Sequence, residues 1–322
     1  MKTRIATFNV ENLFNRYAFL DQPWDERNYE NFIQAVGLVS IAGRDGSLVA
    51  YSTTNIQRNN TAQAILDIEP DILAVQEIEN IETLRIFNNE FLDDYFDRII
   101  VIEGNDPRGI DLGLMIKNNF PCEVLNIRTH VDDGVTKRQT VVNFGYKVRG
   151  SVFSRDCLEV DIKVGNSQLC LLVNHLKAQD QTPNSKERRK KQAEKVAEYV
   201  TRIVADGKSP IVLGDLNTDI LRNHNDDSLQ SLNDHPNLTE PFLAEAIPLD
   251  WCSHYYTSGK KISKLDYIFV HKDLETAIVD KGIWRKGLTL KCKQYTGDRY
   301  PTIGLEHTEA SDHCPVWVEL DL

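Results

Sequence analysis

Pro210-Ile211-Val212-Leu213-Gly214-Asp215-Leu216-Asn217 runs from an apolar stretch into a carboxylate and an amide. The short apolar run predicts a buried strand, and Gly214-Asp215 marks its end. A carboxylate just past a buried strand stands at the rim of a sheet, where it can face a cleft. The same pattern recurs along the chain. Ile5-Ala6-Thr7-Phe8 ends at Asn9, Ile72-Leu73-Ala74-Val75 ends at Gln76-Glu77, and the apolar run 169–173 ends at Asn174-His175. Further strands are expected over 112–117, 265–270 and 316–320.

Leu158, Val160, Ile162 and Val164 alternate with Glu159, Asp161 and Lys163, the period-two pattern of a half-buried strand. Two helices are expected. Thr61 caps one that runs through Ala62, Ile65 and Leu66 to Glu69, where Pro70 stops it. The other covers 185–205, with Ala193, Val196, Ala197, Val200, Ile203 and Val204 on its apolar face. Strands outnumber helices and do not alternate strictly with them, which predicts an α+β fold rather than a doubly wound parallel sheet. Residues 18–58 and 219–262 are polar and weakly periodic and are expected to be insertions, as loops or lids.

At 322 residues the chain suffices for one large domain or two small ones. No apolar run approaches the roughly 18 residues of a membrane span. The start, Met1-Lys2-Thr3-Arg4, enters a strand-like run without an apolar leader, so a cytoplasmic location is expected. The six cysteines are scattered with no C-x-x-C pair, which argues for reduced structural thiols over a zinc site or a disulfide framework. The net charge of -11 argues against tight, non-specific duplex binding driven by bulk charge. It leaves room for a phosphate drawn to a bound cation. Oligomeric state is not legible, and a monomer is the default.

Asn9, Glu77, Asn174, His175, Asp215, Asn217, Asp312 and His313 all lie at or just past apolar strand ends. Residues from five separate segments point to a common mouth. Carboxylate oxygens bind a hard cation such as Mg²⁺. A neutral amide donates to a phosphate oxygen or orients a water. An imidazole stabilises or protonates phosphate oxygens as charge builds. There is no G-x-x-x-x-G-K-[ST] loop for nucleoside triphosphates. Taken singly, each group has a plainer reading: Asn9 as a strand end, Asp215 and Asn217 as an Asx-turn, Asp312-His313 as a helix cap or ion pair.

Six stretches occur together: Thr7-Phe8-Asn9-Val10-Glu11-Asn12, Gln76-Glu77-Ile78-Glu79, Asn174-His175-Leu176-Lys177, Gly214-Asp215-Leu216-Asn217, Leu265-Asp266-Tyr267-Ile268 and Ser311-Asp312-His313-Cys314-Pro315-Val316. In this order they resemble the endonuclease/exonuclease/phosphatase superfamily, the deoxyribonuclease-I-like family, over almost the whole chain. The resemblance implies a four-layer αββα sandwich, two mixed sheets face to face with helices outside, and a site at one sheet edge. It implies Glu77 as the principal metal ligand, with Asn9 and Asp312 beside it directly or through water. Asp215 would activate the attacking water and Asn217 would hold it. His313 would stabilise the transition state, oriented by Asp266, and His175 would contact the phosphate or the leaving oxygen. The implied cofactor is Mg²⁺, with Mn²⁺ as a substitute, and the implied reaction is one-step in-line attack on phosphorus.

The segment Asp106-Pro107-Arg108-Gly109-Ile110-Asp111 departs from the family, which often places a Tyr there; Arg108 or Asp111 takes its place. Arg108, Arg155 and Asn174 are candidate substrate contacts. The run Lys186-Glu187-Arg188-Arg189-Lys190-Lys191 is either a solvated helix face or a handhold for a nucleic-acid backbone through Arg188, Arg189 and Lys190. Trp24, Trp251, Tyr255 and Tyr256 either stack on bases or pin a long loop to the core. His130, His224, His235, His254, His271 and His307 carry no motif and are expected to be structural or surface residues. The leading expectation is a Mg²⁺-dependent phosphodiesterase, a nuclease of DNA or RNA. The alternatives are a phosphatase or phosphodiesterase of a small or lipid substrate, and a binding protein that kept the fold without the chemistry.

Overall fold

A computed structural model describes residues 1–19, 48–106, 108–141, 145–179, 183–220, 226–242 and 251–322. Twelve strands build two sheets. In chain order they are β1 (Lys2–Leu13), β2 (Ile72–Ile78), β3 (Phe96–Ile102), β4 (Asp111–Lys117), β5 (Cys122–Arg128), β6 (Cys157–Val164), β7 (Ser167–His175), β8 (Ser209–Asp215), β9 (Leu238–Thr239), β10 (Asp266–His271), β11 (Ile278–Ile283) and β12 (Val316–Asp321). The first sheet has the order β11-β12-β1-β2-β4-β3, and the second β9-β10-β8-β7-β6-β5. Each holds one parallel pair, β1 with β2 and β7 with β8, among antiparallel neighbours. The carboxyl ends of both parallel pairs carry the strand-end polar residues.

Among the described residues the long helices that cover the sheets are α1 (Asn55–Ile68), α2 (Ile81–Leu92) and α3 (Pro183–Ala205), with a short helical turn at Gln230–Asn233. Between the sheets pack Ile5, Ile72, Leu114, Val160, Leu171, Leu213, Ile268 and Val318. Outside the first sheet, Phe8, Leu73, Val75 and Met115 meet Ile65 of α1 and Leu84 and Phe87 of α2. Outside the second, Cys170, Leu172, Val212 and Phe269 meet Ala193, Val196 and Val200 of α3. Alternate residues of β7 thus serve two different cores, which is why its sequence is apolar throughout. The arrangement is the expected αββα sandwich.

Three local readings need correction. The first helix begins at Asn55, not after Thr61. Thr54 caps it and forms a reciprocal capping box with Gln57. Thr61 is buried inside the helix, its hydroxyl donating to Gln57 and Ala310 carbonyls. On the polar face of β6 only Lys163 is exposed. Glu159 and Asp161 are 1% and 2% exposed, covered by Arg128, Arg202 and Lys208. Finally, the described part of 219–262 contributes sheet strand β9 and a hairpin of His254–Tyr256 with Lys261–Ser263. Residues 20–47, with Trp24, lie outside the described residues, as does His224. Described residues 15–19 and 48–52 pair as a hairpin. Trp251 and Tyr255 are buried with Cys252, Leu288 and Cys314. The Tyr255 hydroxyl donates to the Lys291 carbonyl, so this ring pins its loop, while Tyr256 is exposed. All six cysteines are free thiols. No helix among the described residues is long and apolar enough to cross a membrane.

Candidate active site

The strand ends do not simply stop; two of them bulge. The β1–β2 register slips between Asn9 and Leu13, and the β2–β4 register slips between Gln76 and Ile78. Glu11, Asn12 and Glu77 sit in these bulges with φ of 48°, 56° and 64°, and Asn217 past β8 has φ 52°. Left-handed backbone at non-glycine residues costs on the order of 1 kcal/mol each and gathers where function constrains the chain. In the second sheet, Gly214 (φ 134°) lets β8 close on β7. A Cβ there would lie 1.9 Å from the Asn174 carbonyl oxygen. That approach sets His175 opposite Asp215, and Asp215 opposite Asp266 on the next strand.

Asp215, 2% exposed, is the meeting point. Its Oδ2 accepts from Asn9 Nδ2 at 3.1 Å, which ties the first sheet to the second, and from Asn217 Nδ2 at 3.1 Å. Its Oδ1 accepts from the Asn217 backbone N–H at 2.9 Å. His175 Nε2 stands 3.3 Å from Asp215 Oδ2 and 3.8 Å from Glu77 Oε1. His313 Nε2 stands 3.8 Å from Asp215 Oδ2. Burial pushes the Asp215 carboxyl up, but the His313 and His175 imidazoles and the donated hydrogen bonds outweigh it and hold the carboxyl well below its ordinary range. His313 shows the converse. Burial lowers it, yet Asp266, Asp215 and Asp312 together raise it well above an ordinary imidazole. Asp266 Oδ2 lies 2.8 Å from His313 Nδ1 and also accepts from Ser253 Oγ at 2.7 Å.

Oxygen donors lie beside this group. Asp312 is 3.8 Å from His313 Nε2, and its backbone N–H donates to Glu11 Oε2 at 2.9 Å. Glu77 Oε2 accepts from the Asn12 N–H at 3.2 Å. Burial, then the neighbouring Asp312 and Glu309, push the Glu11 carboxyl up to about 9. Glu11 and Asp312 repel each other as anions, and a divalent cation, which takes hard oxygen ligands, would relieve that repulsion. Glu77, Asn9, Asp312 and Glu11, linked through the Asn12, Glu11 and Asp312 backbone N–H groups, are the residues that would hold the cation. Glu11 and Asp312 also line a cavity of about 310 Å³, together with Glu309 and Lys291. A larger cavity of about 770 Å³ touches Arg98, Ile99 and Val124 near edge strands β3 and β5 and has no strand-end residue in its lining.

The structure brings Asn9, Glu77, His175, Asp215, Asn217, Asp266, Asp312 and His313 together. It borders them with Arg155, which shares the Leu176 carbonyl with Asn217 and feels the charges of Glu77 and Asp215. It places Asn174, Arg108, Arg188 and Arg189 on other partners. Asn174 is fully buried, on the helix-side face of β7, with Nδ2 donating to the Leu172 carbonyl at 2.9 Å. Adjacent strand residues point to opposite faces, so His175 and Asn174 cannot share the cleft. Arg155, 3% exposed, lies beside Asp106 at 3.2 Å and donates to the Leu176 carbonyl at 2.9 Å. Arg108 is exposed and forks onto Asp106 at 3.0 and 2.9 Å. Asp111 is buried and accepts from the Gly104 N–H at 2.7 Å.

Arg189 is not on a solvated face. It is 3% exposed and bonds Thr218 Oγ1, the Lys177 and Ala178 carbonyls, and Asp226. Arg188 donates to the Ser151 and Val152 carbonyls, and Lys186 and Lys190 pair with Asp227. Sequence reading passes over Glu11, Ser253, and Ser311, whose hydroxyl donates to the Asn9 carbonyl at 2.7 Å. Glu11 sits within the quoted Asn9 stretch, and Ser311 opens the Asp312-His313 stretch, so a signal was available for both. His254, expected to be structural or surface, stands with its ring 4.6 Å from that of His313. His130, His235 and His271 are buried and His307 is exposed, as expected of motif-free histidines.

No curated protein matches the sequence. Among solved structures, a humanized D. rerio TDP2 carrying 14 mutations superposes with a TM-score of 0.60 at 15% identity, covering 100% of this chain and 99% of that one. An endonuclease/exonuclease/phosphatase family protein from Bacteroides thetaiotaomicron gives the same TM-score of 0.60, 15% identity and the same 100% and 99% coverage. D. rerio TDP2 complexed with single strand DNA product gives 0.57 at 14% identity, again over 100% of this chain and 99% of that one. These likenesses concern the fold. A sequence model of the Endonuclease/Exonuclease/phosphatase family matches residues 6–313, and with that match this chain belongs to the endonuclease/exonuclease/phosphatase family.

Proposed function

We propose that this chain is a Mg²⁺-dependent phosphodiesterase that cleaves nucleic acid by in-line attack of water. Family members are phosphoester hydrolases that use a divalent metal. The observation that carries the reading is the convergence on Asp215 Oδ2 of Asn9, Asn217, His175 and His313, all within 3.8 Å and drawn from four separate segments. A divalent ion held by Glu77, Asn9, Asp312 and Glu11 would supply charge neutralisation and a Lewis acid at a phosphate oxygen. Asp215, kept anionic, accepts the proton of the attacking water. Asn9 and Asn217 fix the carboxylate, Asn217 spending its two amide hydrogens on Asp215 and the Leu176 carbonyl. His313, charged and held by Asp266, stabilises the negative charge that builds on phosphorus oxygens. His175, facing both Glu77 and Asp215, stands where it can meet the phosphate or the departing oxygen. The single strand DNA product in D. rerio TDP2 supplies the analogy for a nucleic-acid substrate.

A second reading, a phosphatase or phosphodiesterase of a small phosphate, is favoured by one observation. In the basic run of α3, Lys186 and Lys190 are paired with Asp227, and Arg189 with Asp226. A substrate panel separates the two: plasmid DNA, single-stranded DNA, RNA, nucleotides, sugar phosphates and lipids, each with Mg²⁺ or Mn²⁺. Cleavage of polynucleotide is expected. Turnover confined to monoesters would pass the site to the second reading, and no turnover with any divalent ion would favour a binding protein on this fold.

A further inference from the structure

We propose that His254, Asp312 and His313 form a site for a borderline transition-metal ion such as Zn²⁺, and that filling it switches the enzyme off by capturing the His313 imidazole. One ligand atom from each residue lies within 4.8 Å of the other two. His254 Nε2 is 3.7 Å from Asp312 Oδ2, and His313 Nε2 is 3.8 Å from Asp312 Oδ1. Metal–ligand bonds of 2.0–2.1 Å in a tetrahedron put ligand atoms about 3.3 Å apart, so three ligand atoms that already lie within 4.8 Å of one another fill three of four positions once the side chains close on the ion. The fourth is left for water or an anion.

Two features make this more than a chance grouping. Both imidazoles have Nδ1 engaged, His313 with Asp266 at 2.8 Å and His254 with Ser263 Oγ at 2.8 Å. An occupied Nδ1 fixes the ring and directs Nε2 at the metal, the outer-shell support that metal-binding histidines use. The backbone also holds the donors in place. His254 and His313 face each other across an isolated antiparallel bridge, and the Tyr255 N–H donates to the Asp312 carbonyl at 2.9 Å. The donor set is selective as well. Two imidazoles and one carboxylate suit Zn²⁺, Co²⁺ or Ni²⁺, whereas Mg²⁺ takes oxygen. Glu77, Asn9 and Glu11 offer that oxygen, with Glu11 Oε2 meeting Asp312 at its backbone N–H. His254 has no part in the hydrolytic steps, so its imidazole marks the second site. The side chains of His254 and Asp312 are 12% and 38% exposed, enough for an ion to enter from solvent.

The binding half of the proposal stands on geometry alone; the inhibition half rests on the hydrolase reading. The test uses the full chain, freed of metal by chelation and then saturated with Mg²⁺. Zn²⁺ is titrated by calorimetry, and Co²⁺ by its visible absorption, into wild type, His254→Ala and Ser263→Ala, each checked for folding by thermal melting. One Zn²⁺ per chain is expected, weakened on the order of 100-fold or more in His254→Ala and on the order of 10-fold in Ser263→Ala. Equal affinity in folded wild type and either variant overturns the site, as does a Co²⁺ spectrum of thiolate character that both variants retain. In parallel, Zn²⁺ should inhibit Mg²⁺-supported hydrolysis of bis-p-nitrophenyl phosphate, with the midpoint in His254→Ala raised by the factor seen in binding. An unmoved midpoint overturns the inhibition. Zn²⁺ binding that follows the expected pattern in a chain with no hydrolysis at all would defeat the hydrolase reading and leave the site standing.

Discussion

Asp215 is a buried carboxylate that stays ionised because four neighbours offer it hydrogen bonds or positive charge, and this sets what its loss should do. Asp215→Asn keeps the shape and removes the proton acceptor. His313→Ala removes the charge that faces it. Each is expected to lower kcat by about 10²-fold or more and to lower the melting temperature while leaving a cooperatively folded chain. Steady-state rates and melting curves on the same preparations check both halves, and near-normal turnover in either variant would break the role assignments. These residues were legible because each closes a short apolar run. Glu11 was harder to single out. The bulge at the end of β1 gives Glu11 and Asn12 left-handed backbone, and no period-two rule tells which of them turns inward.

At the scale of an element, α3 is a clamp on the site loops. Arg189 and Gln192 hold the turn after β7, with Gln192 accepting from the Lys177 N–H at 2.8 Å, while Arg189 also reaches Thr218 beside Asn217. Arg189→Ala leaves Asp226 with Ser228 but without a counter-charge and strips the Thr218, Lys177 and Ala178 contacts of the guanidinium, so it is expected to cost roughly 3 kcal/mol of stability. Arg189→Lys should recover little, because an ammonium cannot reproduce the fork. Chemical denaturation of both variants measures this; wild-type stability in Arg189→Ala would return the helix to a mere surface role. The amphipathic length of α3 was legible from its 3.6-residue period. Its basic run was not, because Asp226 lies 37 residues from Arg189 in sequence, and only the fold shows that the charges meet. The start of α1 was misplaced for a more local reason. The Thr54-x-x-Gln57 box was readable, but it falls inside the polar stretch expected to be a loop.

At the scale of the molecule, the α+β class was legible from strand patterning and the two-sheet sandwich from the family resemblance, whereas the covering of Glu159 and Asp161 on the outer face of β6 was not. Period-two alternation marks Glu159 as outward but cannot reveal that Arg128, Arg202 and His130 close over it. Burial pushes the Glu159 carboxyl up, yet the bonds from His130, Arg202 and Arg128 prevail and hold it at about 2, against an ordinary 4.5. A depressed carboxyl stabilises the fold fully above its ordinary value and loses that contribution as pH falls from about 4.5 toward 2. Glu159→Gln should therefore cost roughly 1–3 kcal/mol at neutral pH and show a shallower acid loss over that window. Melting curves across the acid range check the slope, and parallel wild-type and variant curves would contradict it. Leu171, fully buried between the sheets, gives the control far from charge. Leu171→Ala should cost about 2–5 kcal/mol with no pH dependence, read by denaturation at two pH values.

The central claim is that carboxylates at one sheet edge hold a divalent ion against a phosphorus centre while Asp215 draws the proton from water. Its most direct test is p-nitrophenolate release from bis-p-nitrophenyl phosphate by chelator-stripped protein, with and without Mg²⁺ or Mn²⁺, in wild type and Asp215→Asn. Release should require the metal and the carboxylate together. Turnover that persists without any divalent ion, or that survives Asp215→Asn, would contradict it.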